Sequence, residues 1–357
     1  MIASNPLISA TGRHDISPTS DCLTAQVAGL GWRTMEHRHV GRTGLRVSRI
    51  GLGTMTWSRD TDEHEAAELL RDLVAAGGSL VDTSASYADG GAEELLGSLV
   101  GAVVPREDLV LCTKAGVRRT ADGPTVDASR GGLLASLDAS LARLRTDHVD
   151  LFLVQTPDPR TPLEETASAL RQAVLSGRAR YVGVANHPGW QVARLAGLLD
   201  DVRDHVGLAA VEMEYSLLER GIEREVLPAA RALGAGVLAW SPLGRGVLTG
   251  KYRRTVPADS RAASPHLAGF VRPYLTGSAS AVVDAVVTAA SGLQRQPLEV
   301  ALAWLARREG VAAAVVGART SAQLRGALSS LDLELPDEIE QALDDVSAPT
   351  VGYPERF

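Results

Sequence analysis

Eight apolar runs, each stopped by a polar residue or glycine and most followed by a stretch of helical periodicity, predict an α/β chain folded as a closed (β/α)8 TIM barrel. The runs end at Gly53, Asp82, Lys114, Gln155, Asn186, Tyr215, Ser241 and Gly317. Eight strand–helix units in about 300 residues suit barrel closure. The glycine fingerprint of an open, doubly wound sheet is missing, since Gly51-Leu52-Gly53 is too short a match.

Taken in order, residues 1–34 mix Pro, Ser, Gly and Asp with short apolar runs and keep no sustained period, which predicts a poorly ordered extension ahead of a domain at 35–348. Glu36 to Val47 reads as a β-hairpin that plugs the barrel floor, with His39-Val40 and Leu45-Arg46-Val47 flanking a Gly41-Arg42-Thr43-Gly44 turn. Helical periodicity covers Glu63 to Ala76, Arg130 to Leu144, Leu163 to Leu175, Gln191 to Leu199 and Glu225 to Leu233. Start signals stand at Asp62-Glu63, at Pro162 before Glu164-Glu165, and at Ser321 before Gln323. After the seventh strand, the connection from Gly244 to about Ala281 exceeds ordinary loop length and predicts a lid. It carries Arg245, Lys251, Arg253, Arg254, Arg261 and Arg272, which suits either a clamp over phosphates or a solvated basic loop. Residues 349–357 read as a short tail.

A chain of 357 residues, 45% hydrophobic and with a formal charge of −7, is an ordinary globular protein without the basic footprint of a nucleic-acid binder. Cys22 and Cys112 fall in no disulfide, redox or metal spacing, and a reducing compartment fits. The histidines are not spaced as ligands either, so no metal site is expected. No run approaches a membrane span, and the first residues lack a secretory start, which predicts a cytoplasmic protein with no membrane partner. No feature fixes the number of subunits.

The chemistry concentrates in Ser79-Leu80-Val81-Asp82-Thr83-Ser84-Ala85-Ser86-Tyr87, an aliphatic strand that stops at an acid and empties into a polar loop. The next strand, Asp108 to Ala115, carries Lys114 at its last inward position. A buried lysine needs a reason. A tyrosine phenol titrates near pH ~10 in isolation, and an adjacent ammonium lowers that value by favouring the phenolate. Asp82, Tyr87 and Lys114 together are what protonation of a carbonyl oxygen during hydride delivery requires. The blander alternative is a salt bridge that ties two strand ends together.

With these residues in order, and with Asp150-Leu151-Phe152-Leu153-Val154-Gln155-Thr156-Pro157-Asp158 after them, the chain resembles the aldo-keto reductase family from Met35 to about Ala348. The resemblance implies reduction of a small-molecule aldehyde or ketone by a nicotinamide cofactor, with Asp82, Tyr87, Lys114 and Gln155 as the catalytic set. Gln155 stands where the family usually has histidine. A glutamine keeps a donor amide but does not titrate near neutrality, so Tyr87 remains the expected acid and Gln155 a donor to the developing oxyanion. The pH profile is then expected to lack a second titrating group. His187, just before Pro188, reads as a surface turn histidine rather than a substitute.

The same resemblance implies the cofactor residues. Asn186 matches the family's ligand for the nicotinamide carboxamide, while Ala185 lacks the usual neighbouring hydroxyl. Glu212 stands where relatives often place a glutamine and is expected to accept from that carboxamide. Trp240 supplies the stacking ring, and Ser241, Pro242, Leu243 and Gly244 lie under the pyrophosphate. Lys251 and Arg261 match cation positions in the branch that includes potassium-channel β subunits. Val316-Gly317-Ala318-Arg319-Thr320 opens the last helix, whose N-terminus suits a phosphate, and Arg319 with Gln323 favours NADP over NAD. Gly326 and Ala327 replace the Glu-Asn pair with which relatives contact adenine.

A rival reading is a cofactor-binding redox sensor with little turnover, suggested by Gln155 and by the channel-associated likeness. Intact Asp82, Tyr87 and Lys114 argue against it. A barrel isomerase or hydrolase without nicotinamide is disfavoured by Trp240 to Gly246. The loops expected to face a substrate, Trp57 to Asp62, Arg118 to Thr125 and Val256 to Thr276, offer only Trp57 and Tyr274 as aromatic walls.

Overall fold

The computed structural model describes residues 35–120, 123–200, 204, 206–258, 260–275, 277–350 and 352–353. The extension expected over 1–34, Cys22 and part of the expected tail lie outside the described residues. The chain opens with an antiparallel hairpin of β1 (His37–His39) and β2 (Arg46–Ser48), paired so that His37 faces Ser48 and His39 faces Arg46. Eight parallel strands then close a barrel: β3 (Ile50–Gly53), β4 (Leu80–Asp82), β5 (Val110–Ala115), β8 (Val149–Val154), β9 (Ala179–Ala185), β10 (Leu208–Glu214), β11 (Gly236–Trp240) and β12 (Val311–Val316). β12 pairs back onto β3. A second hairpin, β6 (Val117–Thr120) with β7 (Gly123–Val126), extends from the end of β5.

The strands form because they are apolar on both faces, as a sheet covered on both sides demands: Leu151, Phe152, Leu153 and Val154 of β8 are all inaccessible to solvent. The floor hairpin joins the same core, since Val40, Leu45 and Val47 cluster with Leu80, Leu151, Leu153 and Leu238. Gly41 makes this docking possible. Its φ is +59°, and a Cβ there would run into the Gly234 carbonyl, to which the Arg42 N–H donates at 2.8 Å.

The outer layer consists of α1 (Glu63–Ala75), α2 (Gly91–Leu99), α3 (Arg130–Leu144), α4 (Leu163–Leu175), α5 (Gly189–Leu199), α6 (Val226–Leu233), α7 (Ala268–Val271), α8 (Gly277–Leu293), α9 (Pro297–Ala306), α10 (Ser321–Leu328) and α11 (Asp337–Val346). Asp62 caps α1 by accepting from the Glu65 N–H at 3.0 Å, as its position predicts. Two expectations shift. Thr320 rather than Ser321 caps α10, and α10 is followed by α11, so the segment around Gly317 does not open the last helix. The expected lid is less irregular than its length implies: it holds a 3-10 turn at Gly244–Thr249 and α7, and ends where α8 begins at Gly277.

Candidate active site

Barrel closure brings the ends of β4, β5 and β10 together around one cation. Lys114 on β5 donates to the Asp82 carboxylate at the end of β4 and to the Thr83 carbonyl at 3.1 Å, and Glu212 on β10 lies 3.1 Å from the same ammonium. All three side chains are buried. Burial works against the Lys114 charge, but Asp82 and Glu212 outweigh it and hold the ammonium well above the ordinary lysine range. Two acids and one cation leave an excess negative charge, which a dry site resists. Burial and the Asp82 charge accordingly push the Glu212 carboxyl up to about 7, against the pull of Lys114. The ligand atoms of Asp82, Cys112 and Glu212 lie within 4.8 Å of one another, the one such group among the described residues, but Lys114 already supplies the cation there.

Tyr87 follows β4 in a tight turn, with the Lys114 ammonium 5.4 Å from its ring centroid. The expected lowering of its phenol is corrected. Burial raises it, and although Lys114 pulls it down, Asp82 and Glu212 add to the rise. Tyr87 is therefore a protonated phenol at neutral pH. The turn is keyed to the barrel wall by Glu93 of α2, fully buried, which accepts from Thr113 at 2.5 Å and from Arg143 at 2.8 and 2.6 Å.

Gln155 sits one residue past β8. Its amide oxygen accepts from Ser84 at 2.8 Å and from Ser86 at 3.1 Å, and its nitrogen lies 3.0 Å from the Ser86 hydroxyl. The two serines belong to the Tyr87 loop and fix the amide plane. His187 corrects another expectation: it is buried, held at 2.8 Å from the Ala185 carbonyl, with burial lowering its pKa.

Above the cluster, Trp240 donates from its indole nitrogen to the Asn186 side chain at 3.0 Å, and Asn186 donates to the Gln155 carbonyl at 2.9 Å. Trp240 also stacks on Phe270 with centroids 6.3 Å apart. Arg245 bolts this corner. It donates to Glu214 at 2.8 and 2.6 Å and to the Phe270 carbonyl at 2.5 Å, with its guanidinium 3.9 Å from the Phe270 ring centroid and 4.9 Å from that of Tyr274. The connection after β11 then crosses the end of β12 and reaches the β3 loop, where His266 meets Asp60 at 3.2 Å.

One cavity of about 470 Å³ joins these parts. Asp82, Tyr87, Lys114, Gln155, Asn186, Glu212, Trp240, Ser241, Pro242, Leu243, Lys251, Arg261, Gly317, Arg319 and Gln323 all line it. Gly244 does not; it is buried behind the wall at φ +53°, where a Cβ would strike Leu218. Of the six cations in the connection, Arg245, Lys251 and Arg261 face the cavity, whereas Arg253 pairs with Asp284 and Arg254 and Arg272 are exposed. Trp57, expected as a wall residue, is fully buried outside the lining, and Phe270 and Leu298 take part instead. Arg261 donates to the Gly317 carbonyl at 2.6 Å, and burial, followed by repulsion from Arg319, lowers its pKa.

The model of the Aldo/keto reductase family matches residues 49–348. The chain belongs to the aldo-keto reductase family. An uncharacterised oxidoreductase of Bacillus subtilis is 36% identical over 87% of this chain and 96% of its own length. A probable voltage-gated potassium channel subunit beta of Oryza sativa is 32% identical over 90% and 98%, and an L-glyceraldehyde 3-phosphate reductase of Escherichia coli O157:H7 is 32% identical over 84% and 88%. The reductase is thus an oxidoreductase of a family that generally uses NAD(P)H. Among its described residues no helix is long and apolar enough to cross a membrane.

In this aldo-keto reductase the acid at position 212 has a cost that can be measured. Its folded pKa of about 7 lies above its ordinary value of 4.5, so the stability it contributes is fully present below the unfolded value and is lost as pH rises through that window. Glu212→Gln, which does not titrate, is expected to match the wild type in acid and to exceed it above neutrality by about 3 kcal/mol. Urea unfolding at several pH values checks this; a variant less stable than the wild type at alkaline pH would refute it.

Proposed function

We propose that the protein reduces an aldehyde or ketone to an alcohol with NADPH, Tyr87 giving the proton to the carbonyl oxygen. The observation that carries this reading is the meeting of Tyr87, Lys114, Asp82 and Gln155 in one cavity that Arg261, Arg319 and Lys251 also line. The residues present fit the cofactor. Trp240 offers an aromatic ring hydrogen-bonded to Asn186, and burial and the nearby Arg319 oppose the Arg261 charge, which an anionic phosphate in the cavity would favour. Bound NADPH would supply the hydride.

This chain's own residues do the rest. Tyr87, protonated at neutrality, donates to the oxygen as charge develops there, and Lys114 stabilises the phenolate left behind. Asp82 holds the ammonium in place. Gln155, its oxygen accepting from Ser84 and Ser86 and its nitrogen donating to the Ser86 hydroxyl, keeps a second amide N–H as a hydrogen-bond donor. Arg261, Arg319 and Gln323 favour the 2′-phosphate, and therefore NADP over NAD.

Titration with NADPH and NADH, followed by quenching of tryptophan fluorescence, and then a panel of aldehydes and ketones with the nicotinamide absorbance recorded, tests the reading. Tight NADPH binding with oxidation on a carbonyl is expected. Arg261→Ala should weaken NADPH by about ten- to a hundredfold, the worth of a charged hydrogen bond, and NADH by much less. Equal losses for the two cofactors would refute the phosphate assignment. Tight binding without turnover would favour a second reading, a cofactor-binding redox sensor, which the likeness to the rice channel subunit supports.

A further inference from the structure

The cluster around Lys114 contains a group to which the proton transfer described above assigns no part. Glu212 is buried, and one of its carboxylate oxygens finds no well-directed hydrogen bond despite lying 3.1 Å from the Lys114 ammonium. Lys114 is already engaged by Asp82 and by the Thr83 carbonyl. The charged and titratable groups that face Glu212 are Asp82 from β4, Lys114 and Cys112 from β5, and Tyr87 from the loop after β4. Its neighbours in register, Ala185 on β9 and Leu238 on β11, bring none. Glu214, two residues along, is neutralised by Arg245.

A single cation cannot balance two carboxylates in a site withdrawn from water, so the cluster retains one extra proton. That proton belongs on Glu212 rather than Asp82, because Asp82 has the closer contact with the ammonium. Burial and the Asp82 charge push Glu212 up to about 7, in keeping with that assignment. The two protonation states treat Tyr87 differently. With Glu212 neutral, Lys114 answers to one acid and retains more of its charge for the phenolate that proton donation leaves. With Glu212 ionised, the second negative charge opposes that phenolate, and Tyr87 becomes a weaker acid. A neutral carboxylic acid also carries one O–H donor and one carbonyl acceptor, the pattern of a glutamine amide, whereas a carboxylate only accepts.

We propose that Glu212 is a proton-gated positioning residue: its neutral form supports proton donation by Tyr87, and its ionisation switches carbonyl reduction down as pH rises. This rests on the reductase reading above. It replaces the titrating group that Gln155 removes from the site with another on a different strand. The proton lost by Glu212 passes to solvent through the cavity, and no bond to substrate forms.

The experiment pairs two readouts on the wild type, Glu212→Gln and Asp82→Asn. Infrared difference spectra taken on either side of pH about 7 report a buried carboxylic acid without any need for turnover. Single-turnover reduction of a carbonyl by NADPH over the same range reports its role. The wild type is expected to lose a carboxylic-acid band as pH rises, and its rate to fall about tenfold per pH unit above that ionisation. Glu212→Gln should lack the band and keep a flat rate. In Asp82→Asn, Glu212 becomes the sole partner of Lys114, and the band should be absent at neutrality. A band that persists in Glu212→Gln, or a rate profile shared by wild type and Glu212→Gln, overturns the proposal. If no carbonyl is turned over by any of the proteins, the reductase reading fails. The band, lost in both variants, then still supports one extra proton held by the Asp82–Glu212 pair.

Discussion

Tyr87→Phe is expected to lower carbonyl reduction by about 10²–10⁴-fold, the usual contribution of a positioned general acid. The substitution removes one hydroxyl and leaves the ring, its place 5.4 Å from Lys114 and the Glu93 tether behind it. NADPH binding, proposed to draw on Trp240, Arg261 and Arg319, should change little. Single-turnover rates and fluorescence titration separate the two effects. Full-rate reduction by the variant would show that some other group delivers the proton.

Lys114→Met is expected to cost about 3–5 kcal/mol of stability, since breaking a buried ion pair from one side leaves uncompensated charge. Here it leaves two acids, Asp82 and Glu212, facing each other without a cation. The cluster answers by binding protons. Glu212, already raised, moves further from its unfolded value, so the variant's deficit should be smallest in acid and grow as pH rises. Denaturant midpoints at acidic and alkaline pH measure this. A deficit that does not depend on pH would mean that Lys114 stabilises through packing alone.

The barrel was legible because its evidence is local and repeated: continuous apolar runs that alternate with helical periodicity, and a polar residue or glycine at each strand end. Asp82, Tyr87 and Lys114 were legible for the same reason, lying on consecutive strand ends that a barrel must bring to one face. What the residues did not disclose depends on which atoms closure brings within reach. Glu212 matched a cofactor position by order along the chain, and only the distance to Lys114 makes it a member of the proton cluster. Ser84 and Ser86 stood in plain view beside Tyr87, but their grip on Gln155 requires β4 and β8 to be placed in space. The rise of the Tyr87 phenol follows from burial exceeding the Lys114 charge, a balance no spacing encodes. His187 misled because a residue before proline at a strand end is ordinarily exposed, and here its ring folds back onto the Ala185 carbonyl. α8 escaped notice because its Gly-, Ala- and Ser-rich start reads as a continuation of the loop before it.

The connection after β11 is fastened on both banks of the cavity, by Arg245 to Glu214 and the Phe270 carbonyl on one side and by His266 to Asp60 on the other. Trp240 and Arg319 line the same cavity as Tyr87, together with Arg245, Lys251, Arg261 and Phe270 from that connection. The molecule therefore keeps two clocks. For the cofactor proposed above, parting of these two fastenings is expected to set the rate of departure, while a small carbonyl compound beside Tyr87 is expected to exchange without it.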